Sequence, residues 1–242
     1  MTTTDKRALI IGAAGGIGSA LTTILAERGW ELVLAGRNAD AVEALARQTG
    51  QRATSLDATD FDAVASAFAD FGPFTGAVNL AGSILLKPAH TVSSDDFTET
   101  IDLNLRTAFA VTRAAGRAMK QTGGSVVLMS SCAATVGLAN HEAIAAAKAG
   151  VEGLVRSAAA TYAPSGIRFN AVAPGLVDTP MASRITGNDA ALKASIAMHP
   201  LGRIGEPADI SRAIAMLLDP DSAWITGQVL GVDGGLARLK TR

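Results

Sequence analysis

The sequence is poor in the side chains that tie many small proteins together or bind metals. It holds a single cysteine, Cys132, among 242 residues, so no disulfide closes within one chain and a reducing compartment, the cytoplasm, is the expectation. Its three histidines, His90, His141 and His199, stand far apart and give no metal-ligand spacing. Neither sign of charge dominates. With 21 basic and 22 acidic residues the formal charge is −1, which argues against nucleic acid or a membrane surface as partner. The opening Met1-Thr2-Thr3-Thr4-Asp5-Lys6-Arg7 carries no apolar core of a secretory leader. No apolar run reaches the roughly 18 residues of a membrane helix.

What is present fits a folded α/β chain. Hydrophobic residues make up 48% and charged residues 18%, and a chain of this length buries roughly 70–75% of its unfolded surface. Short apolar runs without alternation, Ala8–Ile11, Leu32–Ala35, Ala53–Leu56, Gly76–Asn79, Ser125–Met129, Arg168–Val172 and Gln228–Val232, read as strands covered on both faces. Between them lie helical stretches: one ending near Glu27, then Ala39–Arg47, Phe61–Phe71, Asp95–Met119, Ala143–Ala163 and Pro207–Leu218. Strand–helix–strand repetition implies right-handed crossovers and a doubly wound parallel sheet of about seven strands, helices on both faces, in one domain over residues 1–242. The segment Val177–Pro200, with Pro180 and Gly187, interrupts the alternation and is expected to serve as a substrate lid.

The first strand runs into Gly12-Ala13-Ala14-Gly15-Gly16-Ile17-Gly18 and then a helix. Glycines let the backbone approach a pyrophosphate, and a helix N-terminus offers free N–H groups and the positive end of its dipole. In this strand–turn–helix context the run reads as a dinucleotide-binding turn of Rossmann type. The second strand ends Ala35-Gly36-Arg37-Asn38 without a carboxylate for ribose hydroxyls. Arg37 therefore suits a 2′-phosphate, favouring NADP(H) over NAD(H), against the plainer reading of a solvated arginine at a strand end. Asp57, just past the third strand, could accept from an adenine amino group or serve as a cap near the next helix.

These residues bring a family into view. Over essentially its whole length the sequence resembles the short-chain dehydrogenase/reductases. Gly12, Gly16 and Gly18 match the family's cofactor fingerprint, although Ile11 stands where a threonine is common. Asn79-Leu80-Ala81-Gly82 resembles its Asn-x-Ala-Gly turn, which lines the cofactor pocket. Asn104 matches the helix asparagine that holds a proton-relay water, and Ser131 the serine that polarises the substrate. Pro174-Gly175 with Thr179 resembles the loop whose threonine binds the nicotinamide carboxamide. Leu201–Pro207, Thr226–Gln228 and Val232–Gly235 match the family's C-terminal elements. The resemblance implies hydride transfer between a nicotinamide and a carbonyl or alcohol, and a homodimer or homotetramer built on the alanine-rich helices.

One position departs from the pattern at the centre of the chemistry. The family carries Tyr-x-x-x-Lys thirteen residues after the serine, and here that stretch reads Ile144-Ala145-Ala146-Ala147-Lys148. In the family the tyrosine moves the proton, while the lysine lowers its pKa and holds the nicotinamide ribose. Isoleucine has no proton to give. The only tyrosine, Tyr162, lies 14 residues beyond Lys148, about 21 Å along a continuous helix. His141 falls on the stripe of Ile144 and Lys148 and is a competent acid, against the simpler reading of a polar residue before the helix. Cys132 reads either as a reactive thiol or as a small buried side chain. The expectation is an oxidoreductase with an altered proton source acting on an apolar carbonyl or alcohol. A non-catalytic cofactor sensor or scaffold, and a lyase or isomerase in the same pocket, are the alternatives.

Overall fold

Seven short segments pair side by side, every neighbour parallel: β1 (Arg7–Ile11), β2 (Glu31–Gly36), β3 (Arg52–Ser55), β4 (Gly76–Asn79), β5 (Gly124–Met129), β6 (Ile167–Pro174) and β7 (Val229–Val232). The computed structural model describes residues 6–240. Their order in the sheet is β3-β2-β1-β4-β5-β6-β7. The chain winds outward from β1 to β3, then crosses back and winds the other way from β4. That reversal opens a crevice beyond the carboxyl ends of β1 and β4, where open α/β sheets take their ligands.

Successive strand residues feed two separate cores because side chains alternate between the sheet faces. Leu9 and Ile11 pack with α3 (Phe61–Phe71), α5 (Thr107–Ala118) and α6 (Glu142–Tyr162), whereas Ala8 and Ile10 pack with α1 (Gly16–Glu27), α2 (Ala39–Thr49) and α9 (Pro207–Leu218). Local chemistry sets the helix ends. The side chain of Asn38 accepts from Ala41 N and caps α2, and Asp60 caps α3 by accepting from Asp62 N and Ala63 N. Among the described residues no helix is long and apolar enough to cross a membrane, and no cluster of His, Cys, Asp or Glu could hold a metal.

Two segments carry more structure than their patterns announce. The helix read over Asp95–Met119 is three pieces: α4 (Ser94–Ile101), a π-helical turn at Asp102–Arg106, and α5. The Asn104 side chain donates to Thr100 O at 2.9 Å, taking the carbonyl that its own backbone N–H would use in an α-helix, and the ladder widens there. The segment Val177–Pro200 is largely helical, holding α7 (Ser183–Thr186) and α8 (Asp189–Met198), the latter capped by Asn188 through Ala191 N.

Candidate active site

The loops that leave the carboxyl ends of β1, β4, β5 and β6 converge on one cleft of about 260 Å³. Its wall includes Gly12, Gly16, Ile17, Gly18, Ala81, Gly82, Asn104, Ser131, Ile144, Lys148, Pro174, Gly175 and Thr179. Residues scattered over some 170 positions of sequence meet here because parallel strands all end on the same side.

The glycine turn is shaped by close approach. Gly12 has φ +81°, and a Cβ there would lie 2.9 Å from the Leu80 carbonyl carbon, so a side chain would be strained and would press on the β4 loop. A Cβ on Gly16 would sit 3.0 Å from Thr179 Cγ2 and fill the cradle. The N-cap of α1 is Gly15, which brings no side-chain oxygen, and the first turn contains no carboxylate. The amide end of α1 therefore presents its partial positive charge to the cleft without a competing anion, as a pyrophosphate requires.

Asn79 acts beneath the floor. It donates from Nδ2 to Thr107 Oγ1 at 3.1 Å and accepts at Oδ1 from Ala81 N at 3.2 Å, fastening the β4 turn to the start of α5. Asn104, buried in the π-turn, donates to Ser83 Oγ at 3.1 Å and accepts from Ser83 N at 3.2 Å. Ser83 was not foreseen from sequence; its place one residue beyond the Asn-x-Ala-Gly turn was the signal.

Ser131 Oγ accepts from Ala133 N at 3.2 Å, which leaves its hydroxyl proton available to a substrate oxygen. Lys148 is 7% exposed, and its Nζ donates to Met129 O at 3.0 Å. Burial pushes this amine down to about 8. Ile144, one helical turn earlier, shares the cleft wall with Ser131 and Lys148 and is 5% exposed. Tyr162 is far off at the other end of α6, its ring tilted against Phe169 at 5.5 Å and seated over Gly116.

Four other sequence candidates lie off the cleft wall. His141 is the N-cap of α6, and its Nδ1 meets Ala139 O at 2.7 Å instead of facing Lys148. Arg37 is exposed at the end of β2. Asp57 lies near it and accepts from Thr59 N at 2.9 Å and Thr59 Oγ1 at 2.8 Å. These two bonds, with a smaller contribution from Arg37, hold its carboxyl below the ordinary value. Cys132 is buried, and burial first, then the Asp233 charge, pushes its thiol up to about 11. It is the small packed side chain and no thiolate at neutral pH.

Two buried polar groups support the site from behind. Glu152, one turn after Lys148 on α6, accepts from Ser130 Oγ at 2.9 Å. Its i+4 spacing from Lys148 was the legible clue. His199 follows α8; its Nδ1 donates to Ser195 O at 2.6 Å while Nε2 accepts from Leu176 N at 3.2 Å. Both bonds together require the neutral ring with its proton on Nδ1.

Comparison with known proteins agrees with this geometry. The family model described as enoyl-(acyl carrier protein) reductase matches residues 12–237. A cis-4-hydroxycyclohexanecarboxylate dehydrogenase of Sinomonas cyclohexanicum is 40% identical over 242 residues, covering 96% of each chain. A 3-oxoacyl-(acyl-carrier-protein) reductase of Vibrio cholerae is 34% identical, covering 96% of this chain and 97% of its own. Among solved structures, a short-chain type dehydrogenase/reductase from Mycobacterium ulcerans superposes with a TM-score of 0.92 at 30% identity, covering 98% of this chain and 91% of the other. Levodione reductase superposes with a TM-score of 0.91 at 30% identity, covering 98% and 99%. The glycine turn beneath an uncapped helix, the serine and lysine on one cleft wall and these relatives lead to one assignment: the chain belongs to the short-chain dehydrogenase/reductase family and is an oxidoreductase.

Proposed function

We propose that the protein is an NADP(H)-preferring oxidoreductase that interconverts small, neutral, largely apolar ketones and secondary alcohols. The observation that carries this reading is that Ser131 and Lys148 open onto the same cleft as the Gly12–Gly18 turn, on a wall that also presents the apolar side chains of Leu80, Ile84, Ile144, Leu176 and Met181. Among the described residues Lys148 is the one cationic side chain on that wall, and no arginine there meets a substrate carboxylate. This separates the proposed substrate from the hydroxycyclohexanecarboxylates named for two relatives while keeping the ring alcohol.

The chain's own groups divide the work. The backbone of Gly12, Gly16, Ile17 and Gly18 would hold the pyrophosphate. Arg37 would take the 2′-phosphate and Asp57 the adenine amino group. Asn79, through Ala81 and Gly82, shapes the next wall, and Lys148, Pro174, Gly175 and Thr179 would hold the nicotinamide half. When bound, the reduced nicotinamide supplies a hydride. Ser131 donates its hydroxyl hydrogen to the carbonyl oxygen and stabilises the charge that develops there. Residues 177–200 form the lid, Asn104 anchors the helix beside the site, and α5 and α6 offer the faces for a homodimer or homotetramer. A cytoplasmic location accords with the lone thiol of Cys132. The relatives' names, all dehydrogenases or reductases, favour turnover over a sensor, scaffold, lyase or isomerase role.

The test is a fluorescence titration with NADPH and NADH, followed by turnover with cyclohexanone, 4-methylcyclohexanone and 4-oxocyclohexanecarboxylate. Tighter binding of NADPH and faster reduction of the neutral ketones are expected. Binding of neither cofactor at millimolar concentration overturns the reading, and preference for the carboxylated ketone overturns its substrate class.

A further inference from the structure

The cleft lacks the phenol that its family uses, so a proton must reach the substrate oxygen from another group. The candidates can be compared directly. His141 is turned to the Ala139 carbonyl and does not line the cleft. Cys132 is buried with its thiol pushed up to about 11. Ser131 polarises, but a serine hydroxyl is too weak an acid to surrender its proton near neutral pH. Asn104 spends its amide on Thr100 O, Ser83 Oγ and Ser83 N. Lys148 remains. Its ammonium carries three N–H bonds, and among the described residues Met129 O is the one protein acceptor that Nζ meets, at 3.0 Å.

Resting on the oxidoreductase reading above, we propose that Lys148 is itself the general acid and base of the reaction, standing in for the tyrosine that Ile144 replaces. In the reducing direction the carbonyl carbon takes a hydride, with its two electrons, from the reduced nicotinamide. The carbonyl oxygen takes a proton from Lys148: one N–H bond breaks, one O–H bond forms, and the nitrogen keeps the pair as a neutral amine. Solvent then restores the ammonium. Oxidation runs the same transfer backwards, the amine accepting the alcohol proton.

The surroundings suit a lysine that exchanges protons. Among the described residues no carboxylate lines the cleft, and Lys148 forms no ion pair. The nearby charged groups are engaged elsewhere. Glu152, one turn on, is held by Ser130 Oγ at 2.9 Å, and Asp233 accepts from Gly235 N and Ala237 N at 2.9 Å each. Nothing pins the charge on the amine, and burial brings it down to about 8, close to where an efficient acid and base should sit.

Three measurements test this. Wild-type kcat for ketone reduction should be flat below about pH 8 and fall roughly tenfold per unit above it, with the mirrored dependence for alcohol oxidation. Lys148→Arg keeps the charge and the donor geometry but cannot titrate in this range. It should bind NADPH within about threefold of wild type and lose about 10²- to 10⁴-fold in kcat, without the break. Lys148→Ala should regain reduction with added alkylamines, the rate rising with the acidity of the alkylammonium, which a residue that only holds ribose would not show. A direct readout without turnover is ¹⁵N-lysine NMR of the unloaded protein, in which Nζ should titrate near 8. Retained turnover in Lys148→Arg, amine rescue indifferent to acidity, or an Nζ that stays protonated to pH 10 overturns the proposal alone. NADPH binding with no ketone reduced by the wild-type protein overturns the oxidoreductase reading and this one with it.

Discussion

Ile144→Tyr restores the phenol at its family position, and its consequence can be worked from the structure. Ile144 is 5% exposed and lines a cleft of about 260 Å³, so the larger ring grows into open space and not into the packed core. Helix propensities of the two residues are close, so stability should change by less than about 1 kcal/mol, or about 2–4 °C in Tm for a chain of this size. A positioned acid is worth about 10²–10⁴-fold where none acts, or about 3–5 kcal/mol. With Lys148 already serving, the gain near neutral pH is smaller. A lysine with a value of about 8 is about nine-tenths ammonium at pH 7 and about one-tenth at pH 9, and once the lysine is neutral its charge no longer lowers the phenol, which keeps its proton across that range. The ratio of variant to wild-type kcat should therefore rise about tenfold between pH 7 and pH 9. The assay is steady-state NADPH oxidation with the neutral ketones at both pH values, paired with a thermal melt and a cofactor titration. A folded variant that binds NADPH as wild type does, yet reduces no ketone faster at either pH, refutes the reasoning.

Other perturbations read other parts of the structure. Arg37→Asp should weaken NADPH by about tenfold or more and leave NADH unchanged or tighter; a constant NADPH-to-NADH affinity ratio would remove Arg37 from the site. Lys148 falls from 10.5 unfolded to about 8 folded, so the unfolded chain binds more protons between those values and stability rises with pH there. Relative to Lys148→Met, the wild type should gain about 3 kcal/mol between pH 8 and 10.5, a gain present above 10.5 and lost as pH falls through 8. Urea unfolding of both proteins across that window checks the slope, and parallel curves would contradict the burial. Ser130→Ala removes the hydroxyl that donates to the buried Glu152 at 2.9 Å, costing about 1–3 kcal/mol; an unchanged Tm would show that Glu152 finds another donor.

The sheet was legible because its strands are short uninterrupted apolar runs, and a parallel sheet buried on both faces needs nothing else. The strand ends were legible only to within a residue or two: β1 begins at Arg7, β2 at Glu31, β3 at Arg52, β5 at Gly124, β6 at Ile167 and β7 at Val229, each a residue from the expected start, and β4 alone begins where expected, at Gly76. The break at Asp102–Arg106 left no trace of the usual kind, since Ser94–Thr107 contains neither glycine nor proline. A side-chain amide competing for a backbone carbonyl is a tertiary event. In the site, the glycine turn followed from its strand–turn–helix context, and Ser131 from the family resemblance. The exclusion of His141 did not, because it depends on α6 beginning at Glu142 and on a bond to Ala139 O, and periodicity fixes helix ends only to within a few residues. Glu152 and His199 were missed because their partners, Ser130, Ser195 and Leu176, sit 4–23 residues away in sequence.

His199 has a consequence for anyone exchanging substrate specificities among relatives. One ring nitrogen gives a hydrogen bond to α8 and the other receives one from the stretch just after β6, so a single imidazole rivets the far end of the Val177–Pro200 segment to the frame of the sheet. The natural cassette for grafting therefore runs from Pro180 to Ala194. Its downstream seam falls ahead of Ser195, and the rivet travels with the recipient. A graft cut beyond His199 imports a foreign joint along with the foreign pocket, and its failures would be failures of carpentry, not of recognition.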